Sequence, residues 1–387
     1  MSCIDHALTS SRIGVSLPKS LGMSAQDPSA KSWLDSRRNM YLHQNWYVAA
    51  LTSELSQRPI ARTILGEPVA LYRNRSGRVV ALSDQCPHRG YPLSLGTVVD
   101  DVLVCGYHGF TYDCEGLCVA VPGQDRIPTK LTVRTYSVVE RGCWLWIWMG
   151  HGEPDHALLP ETPWLEQSEE WCVVSGVAKL DASFSLLVDN LLDLSHETFL
   201  HNSSIGTPEV ASTPIEVEVN DETRVVNVYR HMSDVECPPF YASTTGLTGT
   251  IDRWQDIEYF APGFYKLNSR IAPVGQPPLP DGTDEHAFHL KIFYGLTPST
   301  ENSVYDFWAL SRDFCVDDSS IDAALEKMQI AVVQEDVDAL NIIQQRINMG
   351  RELTEVSVKI DRGGLAARQV LAQLGEEELL RQGHVNA

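Results

Sequence analysis

Two short segments of the chain each carry a cysteine and a histidine, and they constrain the fold more than any other feature. The first is Cys86-Pro87-His88-Arg89-Gly90, and the second is Cys105-Gly106-Tyr107-His108-Gly109. Thiolates and imidazoles are metal ligands, and a site that takes two ligands from each segment ties both segments into one small domain. A fold of this chain must therefore bring these two segments side by side as loops.

The pairing of ligand types indicates which metal group the loops hold. A zinc site of this composition usually takes both cysteines from one segment and both histidines from another. Here each loop supplies one of each. A Rieske [2Fe–2S] cluster uses such a set, with the thiolates of Cys86 and Cys105 on one iron and the imidazoles of His88 and His108 on the other. The mixed pairing therefore favours the cluster over zinc.

A second pair of histidines lies in the sequence Asp189-Asn190-Leu191-Leu192-Asp193-Leu194-Ser195-His196-Glu197-Thr198-Phe199-Leu200-His201. His196 and His201 are five residues apart, which separates them by about 140° around an ideal helix. They can share a metal only if the helix loosens or ends between them. By itself the pair is weak evidence, because a helical histidine is more often a core or surface residue.

A carboxylate near the C-terminus supplies a third candidate ligand. Apolar residues recur every four positions in residues 328–340, and Asp336 interrupts that stripe. A buried carboxylate needs a partner. The neighbouring Glu335 projects about 100° away, which favours a solvated or supporting role. With the two histidines, Asp336 would form the facial triad of a non-haem Fe(II) oxygenase.

The composition limits the classes of function that remain open. The 387 residues allow two or three domains, and no apolar run approaches the ~18 residues of a membrane span. With 30 basic and 51 acidic residues, the net charge of −21 repels nucleic acid and anionic membranes. Nine scattered cysteines fit reduced thiols and metal ligation better than a disulfide framework. We therefore expect a cytoplasmic protein that binds neither nucleic acid nor membrane.

Changes in residue pattern along the chain suggest four segments. Residues 1–39 are predicted to be a flexible leader without the features of a secretory signal, and Met40 is an alternative initiator. Residues 40–157 show the short alternating strands of a small all-β unit. Residues 158–374 mix strands with helices. Residues 375–387 are predicted to form a C-terminal tail.

Several elements can be placed from their periodicity. The run from Cys143 to Trp148 alternates tryptophan with leucine and isoleucine, which predicts a strand buried on both faces. Strand-like stretches cover Ile215 to Val219, Arg224 to Tyr229 and Ser303 to Leu310. Ser320 to Asn348 has the pattern of one long helix. The second region is therefore predicted to be α+β.

Together these motifs resemble the oxygenase components of Rieske non-haem iron aromatic oxygenases, in particular the vanillate and dicamba demethylase type. The resemblance extends from about residue 40 to residue 374. The matching segments are Asn45-Trp46-Tyr47-Val48-Ala49, Cys86–Arg89 with Cys105–Gly109, Asn190–His196 with His201, and Gln334-Glu335-Asp336. The 39-residue leader departs from the pattern, since it is longer than such demethylases usually carry.

The resemblance implies an α+β fold, in which a small all-β Rieske domain adjoins a helix-grip catalytic domain with an antiparallel sheet, assembled as a head-to-tail homotrimer. It also implies that Asp193 bridges His196 to a cluster histidine of the neighbouring subunit, from a position three residues earlier on the same helix face. Asn190 matches a position near the iron. Asn268 and Tyr294 match positions that line the substrate pocket.

The implied function is oxidation of an aromatic substrate with O2 at the mononuclear Fe(II). Electrons from NAD(P)H would reach the [2Fe–2S] cluster through a separate flavin and iron–sulfur reductase, with or without a ferredoxin. The leading reaction is O- or N-demethylation, and aromatic ring hydroxylation or cis-dihydroxylation is the alternative. Alternatives of other classes are a Rieske electron-transfer protein, with two irons per chain instead of three, and a binding protein with structural zinc.

Overall fold

The computed structural model describes residues 41–166, 168–280, 282–350 and 355–385, with side chains as far as residue 381. The predicted leader, residues 1–39, lies outside this part of the chain. An all-β region is followed by a region of strands and helices, so the predicted α+β class is confirmed. Over the described residues, no helix combines the length and the apolar character needed to cross a bilayer.

Ten short strands build the all-β region. They are β1 (Trp46–Leu51), β2 (Ile60–Ile64), β3 (Glu67–Arg73), β4 (Val79–Ser83), β5 (Thr97–Val99), β6 (Val102–Val104), β7 (Thr111–Tyr112), β8 (Cys118–Ala120), β9 (Val138–Arg141) and β10 (Trp144–Trp148). They pair antiparallel in three sheets with the orders β1-β10-β9, β2-β3-β4 and β5-β6-β7-β8. The candidate cluster loops follow β4 and β6, so both emerge from this framework.

The tryptophan-rich strand β10 is buried along its whole length, as the sequence predicts. Its three tryptophans pack in one apolar cluster with Phe264, Phe293 and Phe307 of the second region. Leu145 and Ile147 point the other way, into the core of the all-β region. Because side chains alternate along a strand, one strand contributes to two separate cores.

A seven-stranded antiparallel sheet forms the centre of the second region. Its strands are β11 (Cys172–Leu180), β12 (Glu216–Val219), β13 (Val226–Glu236), β14 (Thr250–Phe260), β15 (Phe264–Pro273), β16 (Phe288–Thr300) and β17 (Ser303–Arg312). The order is β11-β17-β16-β15-β14-β13-β12. The three stretches predicted as strands correspond to β12, β13 and β17. The predicted boundary at residues 157 and 158 falls in the connection between β10 and β11.

Six α-helices accompany this sheet in the described residues. They are α1 (Phe184–Leu192), α2 (Glu197–Leu200), α3 (Pro208–Ser212), α4 (Pro239–Thr245), α5 (Ser319–Asn348) and α6 (Arg362–Val385). Residues 375–385 belong to α6, so the segment predicted as a separate tail begins within a helix. The long helix α5 corresponds closely to its predicted span.

The start and the buried face of α5 follow from local chemistry. The Asp318 carboxylate caps the helix by accepting the N–H of Ser320 at 2.9 Å. Leu325, Val332 and Leu340 are buried against the sheet side of the domain. Asp336 lies on the same face and is 8% exposed. The apolar stripe thus places one carboxylate inside the domain.

Candidate functional site

The two cysteine–histidine loops have the same backbone turn. The N–H of Gly90 donates to the carbonyl of Cys86 at 2.7 Å, and the N–H of Gly109 donates to the carbonyl of Cys105 at 3.0 Å. Both glycines have positive φ, +71° and +73°, which a residue with a side chain adopts only with strain. The glycine four residues after each cysteine therefore lets each loop fold back toward the other.

The four candidate cluster ligands lie together at one end of the all-β region. The thiols of Cys86 and Cys105 are each 2% exposed, whereas His88 is half-buried and His108 is exposed. The two imidazole rings lie 4.7 Å apart between centroids. Burial and the adjacent Cys86 thiol raise the pKa of Cys105. Two buried thiols beside two imidazoles fit a metal group that supplies positive charge, as a Rieske cluster does.

Tyr112 is a residue of this site that sequence reasoning missed. Its hydroxyl lies 3.2 Å from the Sγ of Cys86, and its side chain is fully buried. Burial and the neighbouring Cys86 raise the pKa of this phenol, so it remains protonated and can donate to the sulfur. Strand β7 carries this residue, and no local motif marks it.

The second site brings together His196, His201 and Asp336, the three residues predicted as iron ligands. One ligand atom from each lies within 4.8 Å of the others. The Nε2 atoms of His196 and His201 are 3.5 and 3.3 Å from Oδ1 of Asp336. His196 ends a 3-10 turn and His201 caps the C-terminus of the four-residue helix α2. The helical path is therefore interrupted at both histidines, as sharing a metal requires.

The far nitrogen of each imidazole is also held. His196 Nδ1 is 2.5 Å from the backbone oxygen of Asp193, and His201 Nδ1 is 2.6 Å from Oε2 of Glu335. When each Nδ1–H donates to its oxygen, each Nε2 presents a lone pair toward Asp336. Three acceptor atoms then converge with no donor hydrogen among them. That donor set fits a divalent cation such as Fe(II).

The electrostatics around His201 also favour a bound cation. Burial lowers the pKa of His201, but the carboxylates of Asp336 and Glu335 raise it more, to about 8. His201 is 1% exposed, so water does little to support a charge there. The surroundings of this imidazole therefore stabilise positive charge, which a bound cation supplies.

Asn190 contacts the proposed iron ligand directly. Its Nδ2 donates to Oδ1 of Asp336 at 3.0 Å, and its own Oδ1 is buried without a hydrogen-bond partner. The amide therefore orients the carboxylate that faces both histidines. The predicted position of Asn190 near the iron stays a prediction, and its contact with the proposed ligand Asp336 supports it.

The local geometry of Asp193 differs from the prediction. Helix α1 ends at Leu192, and Asp193 has extended backbone angles, φ −126° and ψ 90°. Asp193 and His196 therefore do not share a helix face. The Asp193 carboxylate accepts the N–H of Ser195 at 2.9 Å, and the backbone oxygen rather than the carboxylate contacts His196. The side chain of Asp193 remains partly exposed.

A cavity that opens to solvent adjoins the triad. Its walls come from α1, the histidine segment, α4, the inner face of the sheet and α5. The lining residues are Leu191, Leu194, His196, Glu197, His201, Ile205, Phe240, Tyr241, Tyr265, Leu267, Ile292, Tyr294, Gln329, Val332 and Asp336. Tyr294, predicted as a pocket residue, is among them. Its hydroxyl accepts from Nε2 of Gln329 at 2.8 Å.

Asn268, the other predicted pocket residue, does not line this cavity, so that prediction is wrong. Its neighbour Leu267 faces the cavity, and successive side chains of a strand point to opposite faces. On the outer face, the amide of Asn268 donates to Glu258 at 3.0 Å and accepts from Lys291 at 3.0 Å. A one-residue error of register is enough to exchange the two faces.

A buried ion pair behind the histidines was also missed. Glu197, 3% exposed, accepts from Arg253 at 2.8 Å and from Gln255 at 3.0 Å. Arg253 also donates to the backbone of Ile205 at 2.8 Å. Arg253 and Gln255 occupy two successive inward positions of β14, between the apolar Ile251 and Ile257, a pattern that could have indicated a polar patch on the inner face.

A cluster-binding β domain joined to a buried His/His/Asp site defines the class of Rieske non-haem iron oxygenases. Residues 45–137 match the Rieske [2Fe–2S] domain, and residues 180–377 match the vanillate O-demethylase oxygenase C-terminal domain. The chain belongs to the family of vanillate O-demethylase oxygenase components.

Individual relatives agree with this assignment. The chain is 33% identical over 341 residues to the vanillate O-demethylase oxygenase subunit of Pseudomonas sp. strain HR199, covering 87% of this chain and 95% of that one. It is 28% identical over 352 residues to the chloroacetanilide N-alkylformylase oxygenase component of Rhizorhabdus wittichii, covering 89% and 97%. A crystal structure of dicamba monooxygenase with non-haem iron and dicamba superposes with a TM-score of 0.74 at 31% identity, covering 89% and 100%.

The family fixes the type of enzyme and its cofactors. The chain is the oxygenase component of a multicomponent oxidoreductase that uses O2. Its cofactors are a Rieske [2Fe–2S] cluster and a mononuclear non-haem iron. The predictions of family, enzyme type and cofactors are therefore confirmed.

Proposed function

We propose that this enzyme removes a methyl or other small alkyl group from an oxygen or nitrogen atom of an aromatic substrate. The observation that carries the proposal is the buried triad of His196, His201 and Asp336, which opens directly into a largely apolar cavity. An aromatic ring fits walls of leucine, isoleucine, phenylalanine and tyrosine. The similarity to O-demethylase and N-alkylformylase components over most of the chain supports dealkylation.

In this proposal the side chains divide the work between two centres. Cys86, His88, Cys105 and His108 would hold the cluster, and the triad would hold the iron. When bound, these groups supply one-electron transfer and activation of O2. Asn190 and Glu335 fix the orientation of the ligand side chains, because each is hydrogen-bonded to one of them. The apolar walls of the cavity exclude water from the reacting alkyl group.

We further propose that the active form is a homotrimer, in which Asp193 connects His196 to a cluster histidine of the neighbouring chain. The partial exposure of Asp193 and the exposure of His108 support this arrangement, since both are accessible to a second copy. Within one chain, the contact to His196 comes from the Asp193 backbone. The carboxylate can therefore engage a neighbour without releasing His196.

The partner that supplies electrons would be a flavin and iron–sulfur reductase using NAD(P)H, with or without a ferredoxin. The relatives are named as subunits or components of larger systems, which supports a separate reductase. Aromatic ring hydroxylation and cis-dihydroxylation are the competing reactions of the same site.

A single-turnover experiment distinguishes these reactions. Prereduced enzyme is mixed with O2 and a methoxylated or N-methylated aromatic compound, and the products are quantified. We expect formaldehyde in proportion to the demethylated product. Cis-diols or ring phenols without formaldehyde would contradict dealkylation and leave the oxygenase class intact. The His196→Ala variant, which loses an iron ligand but no cluster ligand, serves as the inactive control.

A further inference from the structure

The histidine and carboxylate side chains that line the substrate cavity already have partners. No lysine or arginine occurs among the described residues that line it. The carboxylate of Glu197 is paired with Arg253 at 2.8 Å, and the two side chains are 4% and 1% exposed. Asp336 and Glu335, which both contact His201, would together match the two positive charges of a bound Fe(II).

The other buried guanidinium on this face of the sheet belongs to Arg230. Arg230 is 3% exposed, lies outside the cavity lining and donates toward Gln255 over 3.5 Å. Burial lowers the pKa of this guanidinium, and the carboxylates of Glu197 and Asp193 oppose that shift only in part. Lys291 and Asn268 lie on the opposite face of the sheet. A substrate anion in the cavity would therefore have no lysine or arginine as a direct partner among the described lining residues.

The cavity does offer neutral hydrogen-bonding groups. Tyr265 is 1% exposed and lines the cavity, and its hydroxyl has no hydrogen-bond partner among the described residues. Burial and the neighbouring Tyr294 raise the pKa of this phenol, so it stays protonated and can donate. Gln329 is 3% exposed, and its Nε2 donates a hydrogen bond to the Tyr294 hydroxyl. A buried polar atom without a partner at a cavity wall is suited to a ligand atom.

We propose that the substrate is a neutral aromatic ether or N-alkyl amine carrying a hydrogen-bond acceptor such as a carbonyl oxygen, which accepts from the Tyr265 hydroxyl, and that carboxylated aromatics are poor substrates. This inference rests on the proposed dealkylation. Vanillate, named for one relative, is an anion, whereas a chloroacetanilide, named for another, is neutral. The cavity of this chain, with no lysine or arginine in its described lining, suits a neutral ligand of the second type.

Matched ligands test the inference, because a primary amide and a carboxylate have nearly the same shape and differ in charge. The three methoxybenzamide isomers and the three methoxybenzoate isomers are compared by equilibrium dialysis against the holoenzyme at neutral pH. We expect at least one amide to bind, at least about tenfold more tightly than its benzoate. Equal or tighter binding of the benzoates, or binding of neither series, overturns the inference.

Point variants test whether Tyr265 and the uncharged cavity lining cause the preference for amides over benzoates. Tyr265→Phe is expected to weaken amide binding several-fold with the cluster and iron content unchanged. Tyr259→Phe, which removes a buried hydroxyl from the same sheet outside the cavity lining, is the matched control. Gln329→Lys places a cation in the cavity and should shift the preference toward the benzoates. Amide binding that is unchanged in Tyr265→Phe would refute the assigned hydrogen bond.

Product analysis separates this inference from the proposed function. Formaldehyde released from the benzoates but not from the benzamides would overturn the inference and leave dealkylation standing. Hydroxylated benzamides formed without formaldehyde would do the reverse.

Discussion

His201 lies between two consecutive carboxylates of helix α5. Its Nδ1 is 2.6 Å from Oε2 of Glu335, and its Nε2 is 3.3 Å from Oδ1 of Asp336. Residues that follow one another in a helix point about 100° apart, and the imidazole fills the angle between them. One acid therefore holds the back of the ring while the next faces the metal position in front of it.

Replacing the acid behind the ring should weaken iron binding without removing a ligand. In Glu335→Gln the charge that polarises His201 is lost, and we expect iron affinity to fall by ~10–100-fold. Iron retained after dialysis against a chelator measures the effect, with the cluster spectrum as an internal reference. Asp338→Asn removes an exposed acid from the same helix and should retain iron like the wild type. Equal iron retention in both variants would contradict the orienting role of Glu335.

A change of the Asp193 side chain should uncouple the two centres. Asp193→Asn keeps the backbone oxygen that contacts His196, so the cluster spectrum and most of the iron should remain. Steady-state turnover with reductase should fall strongly, because the proposed link between neighbouring chains is altered. Wild-type turnover in Asp193→Asn would show that the carboxylate does not bridge the subunits.

Complementation tests the transfer between chains independently. Co-assembly of Cys105→Ser chains, which lack a cluster ligand, with His196→Ala chains, which lack an iron ligand, should restore part of the activity if one chain's cluster serves its neighbour's iron. Either variant alone should be inactive. A co-assembled mixture as inactive as its components would contradict transfer between subunits.

The hydroxyl of Tyr112 should tune the reduction potential of the cluster. A hydrogen bond to a cluster thiolate stabilises the reduced state, so Tyr112→Phe should lower the potential by ~20–60 mV, the equivalent of one ordinary hydrogen bond. Redox titration followed by optical or EPR spectroscopy measures the shift. Tyr72→Phe is the control, since Tyr72 is equally buried in the same apolar cluster. A lowered potential in both variants would point to general loosening of this core instead.

His289 should make the stability of the catalytic domain depend on pH. Its ring contacts Asp313 at 2.7 Å and Asp284 at 3.0 Å, and these carboxylates raise its pKa. The raised value means that the ion pairs contribute fully below the ordinary pKa of about 6.5 and that their contribution is lost as pH rises through the folded-state pKa.

The corresponding variant tests that sign. His289→Gln should be less stable than wild type by about 0.5–1 kcal/mol near pH 6, with the difference shrinking as the pH is raised to about 9. Urea denaturation across this range measures it. His286→Gln, an exposed histidine in the same segment, corrects for the loss of a histidine as such. A difference that grows with pH would have the wrong sign.

The parts of the site that could be predicted from sequence are those with a local chemical signature. The cluster loops are marked by cysteine, histidine and glycine at short spacing, and Asp336 is marked because a carboxylate interrupts an apolar helical stripe. The parts that failed depend on geometry that spacing does not contain. Helix α1 stops one residue before Asp193, so the predicted helix face does not exist there. Asn268 faces outward because strand register, not residue type, selects the face.

Contacts between distant segments are a further limit. Glu197 and Arg253 are far apart in the chain, and the sequence near either residue says nothing of the other. The same holds for Tyr112 in β7 and Cys86 in the loop after β4, which come together only when the cluster region folds. Such pairs become visible only when the sheet order is known, since the strand pairing decides which positions are neighbours.

The burial of β10 on both faces links the unfolding of the two domains. Trp144, Trp146 and Trp148 fill the core beside the catalytic sheet, and Leu145 and Ile147 fill the core of the cluster domain. If β10 leaves one core it also leaves the other, so apolar residues of both cores become exposed to water. Partial opening of one domain therefore removes a packing partner of the other. We therefore expect the two domains to unfold as one cooperative unit, so that the visible colour of the cluster and the circular dichroism of the helices disappear at the same temperature.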